Sequence, residues 1–117
     1  MMQDLKTRTK MFAIKCWRLC LKIPNSREYN AWVRQLIKCS SSVGANYRAS
    51  QRAKSTADFI NKLKIVEEEA DESVYWLELF LEVLDTNHDE IKKLIKEANE
   101  LLAITVASIK TARANNR

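Results

Sequence analysis

The chain has 117 residues, a formal net charge of +5, 46% hydrophobic residues, one glycine, one proline and three cysteines. That length suits one domain with a single core, and the shortage of Gly and Pro excludes a β-rich fold, whose many turns need them. There is no apolar run of the roughly 20 residues needed to cross a bilayer and no signal-peptide core at the Lys/Arg-studded N-terminus, and the odd cysteine count reads as reduced thiols in a cytoplasmic protein.

The charge is unevenly placed. Residues 1–54 hold twelve Lys/Arg and two acids, a net +10, while residues 55–117 hold eight and thirteen, a net −5. Such asymmetry points to a charged partner, or to copies of the chain meeting basic face to acidic face.

The first predicted helix covers about residues 4–22. Leu5, Phe12, Cys16, Leu19 and Ile23 share one face at 100° per residue, and Pro24 forces the chain out of the helix. Arg8, Lys15, Arg18 and Lys22 line one flank. Ile14, Trp17 and Leu21 form a second apolar strip opposite the core face.

The second predicted helix covers about residues 28–51, with Tyr29, Val33, Leu36, Ser40, Val43 and Tyr47 inward. Gly44 lies inside it at a cost of about 1 kcal/mol relative to Ala, which a helix bears where something packs closely. Arg34, Lys38, Ser41, Ala45, Arg48 and Arg52 form a smooth basic ridge on the opposite face, about 27 Å long at 1.5 Å per residue.

Ser55-Thr56-Ala57-Asp58 is a capping box with Asp in place of Glu. It opens a third helix of about residues 56–84, with Phe59, Leu63, Val66, Ala70, Ser73, Leu77, Phe80 and Leu84 inward. Glu68, Asp71, Tyr75, Glu78 and Glu82 line its outer side, and Ile65, Trp76 and Val83 fall off the main face. Asn87 then reads as the cap of a fourth helix of about residues 88–113, fraying from Arg113 onward. Four amphipathic helices with short connections predict one all-α domain, an antiparallel up-down four-helix bundle.

Catalytic chemistry is missing from the sequence. There is one His, no pair of Glu-x-x-His motifs for a di-metal centre and no Gly-rich phosphate loop. Cys16 and Cys20 are one turn apart but read as buried thiols, and His88 as a surface residue. Asp71, Glu72 and Glu78 have no visible nucleophile or electrophile beside them. The expectation is no enzyme, no metal and no cofactor. The basic ridge has two readings: contact with phosphates, or pairing with the acidic stripe of the third helix within or between copies. The second apolar strips likewise read as contacts between copies, through Ile14, Trp17, Leu21, Tyr75 and Trp76, or as a wider buried arc.

Ser42-Val43-Gly44-Ala45-Asn46, late in the second helix, resembles the signature of the four helix bundle protein family, also called the 23S rRNA intervening-sequence or S23-type family. The run Ala57 to Leu63 resembles that family's third-helix start. The stretch Glu69 to Leu81, with Glu72 and Tyr75-Trp76-Leu77-Glu78, is similar to its third-helix signature, and Glu97, Asn99-Glu100-Leu101 and Ile104 to its fourth. The resemblance covers nearly the whole chain. One departure is Tyr47-Arg48-Ala49-Ser50, where many members carry an acidic residue and Gly, so no role is carried over for that acid.

The resemblance implies a bundle that assembles into a ring, often a homopentamer. Some members are encoded within insertions in 23S rRNA genes. More distantly similar proteins are reverse-transcriptase accessory subunits of diversity-generating retroelements, in which a basic barrel binds nucleic acid and the polymerase. It also implies that Gly44 and Ala45 allow close helix approach and that Asn46 hydrogen-bonds a neighbouring backbone. The expected function is a non-enzymatic homo-oligomer that binds RNA or DNA through Arg34, Lys38, Arg48 and Arg52, with Arg8, Lys15, Arg18 and Lys22. The alternative is a protein-interaction scaffold, such as a reverse-transcriptase accessory subunit, whose charge stripes serve ring assembly. No membrane partner is expected.

Overall fold

The computed structural model describes residues 4–115, which form four helices: α1 (Leu5–Leu21), α2 (Arg27–Ser50), α3 (Thr56–Val83) and α4 (His88–Asn115). Three of the four starts are set by a side chain that takes an otherwise unpaired amide. Asp4 Oδ1 accepts from Thr7 N at 2.8 Å, Ser26 Oγ from Tyr29 N at 3.0 Å, and Ser55 Oγ from Asp58 N at 3.0 Å. The box at Ser55 is altered. Asp58, shorter than Glu, accepts from the amide of Lys54 at 3.2 Å, one residue before the cap.

The α4 start differs from the sequence expectation. Asn87 sits at φ 63°, in the left-handed region that Asn tolerates. Its carbonyl receives Ile91 N at 3.0 Å, while its side chain bonds Thr86 and Glu90 rather than a helix amide. Asn87 therefore reverses the chain instead of capping by its side chain. His88 Nε2–H donates to the Leu84 carbonyl and ties α3's end to α4's start. α4 stays helical to Asn115, past the fraying expected at Arg113.

The connections are too short for anything but antiparallel neighbours. α1 packs on α2 and α4, α2 on α3, and α3 on α4, and the diagonal pairs make no close backbone approach. The result is a square up-down bundle of 50 × 29 × 20 Å, with no strand among the described residues. Phe12, Cys16, Leu19, Leu36, Val43, Val66, Leu77, Phe80, Ile91 and Leu101 fill the core. Burial of such side chains contributes about 1.5–3 kcal/mol each.

Between α2 and α3 lies an aromatic cluster. Trp32 meets Phe80 edge-on at 5.7 Å and Trp76 at 6.5 Å, and Tyr29 stacks on Phe80 at 6.5 Å. Trp76, read from sequence as off the main face, is half-buried in this cluster.

Five small polar side chains are buried, Thr9, Ser40, Ser50, Ser73 and Thr105. Each hydroxyl donates to a carbonyl three or four residues earlier, as Thr9 does to Leu5 at 2.7 Å and Thr105 to Leu101 at 2.7 Å. Their small size lets neighbouring helices approach. The tightest such place is Gly44 on α2, where a Cβ would lie 3.3 Å from Thr9 Oγ1 and 3.4 Å from the Thr9 carbonyl carbon and oxygen. Replacing Gly44 by Val is expected to lower stability by about 1–3 kcal/mol, as overpacking does. Urea unfolding followed at 222 nm measures this, and a loss below about 0.5 kcal/mol would show that the seam is loose.

Candidate functional site

Outside the Gly44–Thr9 contact, the α1–α2 seam opens into a shallow groove of about 530 Å³. Its floor is made of small or apolar residues: Thr9, Ala13 and Ile14 from α1, and Ser41, Gly44 and Ala45 from α2. Lys6, Lys10 and Arg48 supply its charge, with no carboxylate. A second groove, of about 870 Å³, shares Ala45 and Arg48 and continues toward α3 past Ala49, Arg52, Lys54, Ser55 and Lys62. Its one acid, Asp58, already accepts from Lys54 N and stands 4.0 Å from Lys62 Nζ.

The topology explains why these residues meet. In an up-down bundle the N-terminal end of α1, the C-terminal end of α2 and the start of α3 share one end of the molecule. Arg48, in the last turn of α2, also faces the negative end of that helix dipole. Six cations thus line one surface against a single carboxylate.

The other expected cations go elsewhere. Arg8 turns toward α4, where its guanidinium forks onto Glu97 and lies 3.4 Å from Glu100, with its side chain only 16% exposed. The Glu97 carboxylate raises its already high pKa further. Lys22 Nζ lies 2.9 Å from Glu90. Lys15 and Arg18 line a mixed-charge groove of about 660 Å³ with Lys93, Glu90 and Glu97. Lys38 shares a small cleft with Glu69 and Glu72 on α3. Burial, and then Glu72, raise the Glu69 carboxyl above its ordinary value, while Lys38 opposes them. Arg34 is exposed and forms no ion pair among the described residues.

The ridge of α2 is therefore divided. Lys38 faces acids, whereas Arg48 enters the basic surface, as does Arg52, which lies in the turn past the end of α2 and not on the helix. Lys6, Lys10, Lys54 and Lys62 were not singled out from the sequence. Lys6 and Lys10 carried a signal, since their i,i+4 spacing puts them on one stripe of α1. Lys54 lies in a connection and Lys62 on the acidic helix, so neither stands out in a one-dimensional reading.

Asn46 corrects another expectation. Its Nδ2 donates to the Ser42 carbonyl at 3.0 Å and to Ser42 Oγ at 2.8 Å, within its own helix and not to a neighbouring backbone. Of the apolar residues assigned to contacts between copies, Trp17, Leu21 and Tyr75 are exposed, while Ile14 lines the α1–α2 groove. Trp76 is half-buried against Trp32, with the edge of Tyr75 at 5.2 Å.

Cys16, Cys20 and Cys39 are buried and unpaired. Burial pushes the Cys20 and Cys39 thiols up to about 11, and Cys16 higher still. Ser73 Oγ lies 3.3 Å from Cys39 Sγ. Among the described residues no three metal-ligating side chains come together, and no helix is long and apolar enough to cross a membrane.

Residues 3–107 match the family described as 23S rRNA-intervening sequence protein. Among solved structures, the chain is similar to a protein of unknown function from the S23 ribosomal protein family of Bacteroides thetaiotaomicron. The two are 30% identical over 92% of this chain and 99% of that one, with a TM-score of 0.84. No curated protein matches the chain.

Two outcomes test this arrangement. Glu97→Ala, which strands the mostly buried Arg8, is expected to lower stability by about 1–2 kcal/mol in urea titration. The raised thiols are expected to be inert to a thiol-specific dye in the native protein near neutral pH, and all three to react once the chain unfolds. Rapid native labelling would contradict the buried placement.

Proposed function

The chain belongs to the 23S rRNA-intervening sequence protein family, and we propose that it is a non-catalytic helical bundle that binds RNA through its α1–α2–α3 basic grooves. The observation that carries this reading is the convergence of Lys6, Lys10, Arg48, Arg52, Lys54 and Lys62 around one acid that is already engaged. Each cation that neutralises a phosphate releases a condensed counterion. The small residues on the floor let a sugar–phosphate chain lie close, and such contacts fix position with little sequence preference. Lys15, Arg18 and Arg34 extend the positive field. Arg8, Lys22 and Lys38, drawn to Glu97, Glu90 and the Glu69–Glu72 pair, contribute less.

Anisotropy of a labelled RNA titrated with the full chain tests the assignment. Arg48→Glu with Arg52→Glu is expected to weaken binding at least about tenfold and to flatten the salt slope by about 1.4–1.8. Unchanged affinity in that double variant would reject it.

A second reading, self-association as an interaction scaffold, is favoured by the exposure of Leu21, Tyr75 and Val83. Tyr75 stands within the acidic stripe of α3, which complements the cations of α1 and α2 in a head-to-tail contact. On this reading Leu21→Asp with Tyr75→Asp brings the mass in light scattering down to the 13.6 kDa of one chain. An unchanged mass removes the assembly from these side chains.

A further inference from the structure

Two aromatic side chains are more than half exposed among the described residues, Trp17 at 52% and Tyr75 at 54%. They stand in opposite electrostatic settings. Tyr75 shares its α3 stripe with Asp71, Glu78 and Glu82, which repel a polyanion. Trp17 belongs to α1, which contains no carboxylate between Leu5 and Leu21.

The placement of Trp17 on α1 ties it to the basic groove. Lys6, Lys10, Ala13 and Trp17 follow the i, i+4, i+7, i+11 spacing of one helical stripe, and the first three of them line the groove. Trp17 is therefore one turn beyond the groove's end, about 10 Å along the axis from Lys10. That is short enough for neighbouring nucleotides of one strand to reach both. Trp17 is also absent from the core and from the half-buried shell around it, which takes in Trp32 and Trp76. Folding does not account for an indole at this position.

We propose that Trp17 stacks on an unpaired base of an RNA strand whose phosphates lie on Lys6, Lys10 and Arg48, which makes single-stranded RNA the ligand of this surface. The inference rests on the phosphate-binding reading of the groove. An indole beside a row of cations is the pairing that single-strand binding uses, with stacking for the base and charge for the backbone. A duplex keeps its bases stacked inside and offers no base face to a side chain.

The test compares an unpaired RNA of about 12 nucleotides, within the usual site size, with a duplex of the same length, using the full chain. Trp17→Ala is expected to weaken the unpaired RNA about tenfold, the effect of one stacked base, while the duplex changes less than about twofold. Trp17→Phe, which keeps a stacking face, is expected to retain most of the affinity. Unpaired RNA quenches tryptophan emission in the native protein, and Trp17→Ala removes that quenching. Circular dichroism checks that the variant folds. An equal loss for both RNAs overturns the proposal, as does a drop in the light-scattering mass of Trp17→Ala, which would put the indole between copies of the chain. No loss with unpaired RNA, where Arg48→Glu with Arg52→Glu does abolish binding, ends the stacking assignment alone. Failure of the native chain to bind either RNA at low salt ends both readings together.

Discussion

The arrangement of this molecule depends on how closely α1 can lie against α2. Gly44 and Thr9 meet where a single added Cβ would come within 3.3 Å of Thr9 Oγ1. The hydroxyl of Thr9 is already bonded to Leu5 O, so the contact leaves no buried polar atom unpaired. With the two backbones this near, the outer surface of the seam is paved by Ala13, Ser41 and Ala45 rather than by bulky chains. A larger residue at Gly44 would fill the groove floor and spread the two rows of cations apart.

Charge neutralisation then decides which cations remain free. α1 has two polar flanks. One faces α4 and is engaged there, through Arg8 to Glu97 and Lys22 to Glu90. The other, with Lys6 and Lys10, faces α2, whose groove-facing side has no acid. The more exposed Lys22–Glu90 pair contributes little to stability, but both pairs draw cations away from solvent. The positive surface is concentrated at one end of the bundle because the acids of α4 and of mid-α3 engage the cations nearest them.

Much of the fold was legible in the sequence. The stripes of three- and four-residue steps, the break at Pro24 and the Ser55 start all act locally, within a turn or two of helix, whereas the caps at Asp4 and Ser26 were not read from the sequence. The α4 start shows the limit of such reading. Asn87 was recognisable as a helix opener, yet it works through a left-handed backbone and not through its side chain. Asn46 likewise was expected to reach a neighbour, but an i−4 partner in its own helix lay closer. Trp76 was placed off the main face because periodicity treats each helix alone, whereas its environment is set by Trp32 across the α2–α3 seam.

The amino-acid sequence by itself determined four amphipathic helices and their order, since these follow from spacing and residue type. Only the tertiary structure decided which charges cancel. Packing brought Arg8 and Glu97, 89 residues apart, into one ion pair and joined Lys6, Lys10, Arg48, Arg52, Lys54 and Lys62 from three helices and a connection into one surface. Electrostatic energy depends on distance in space, and linear order does not contain that distance until the helices have packed.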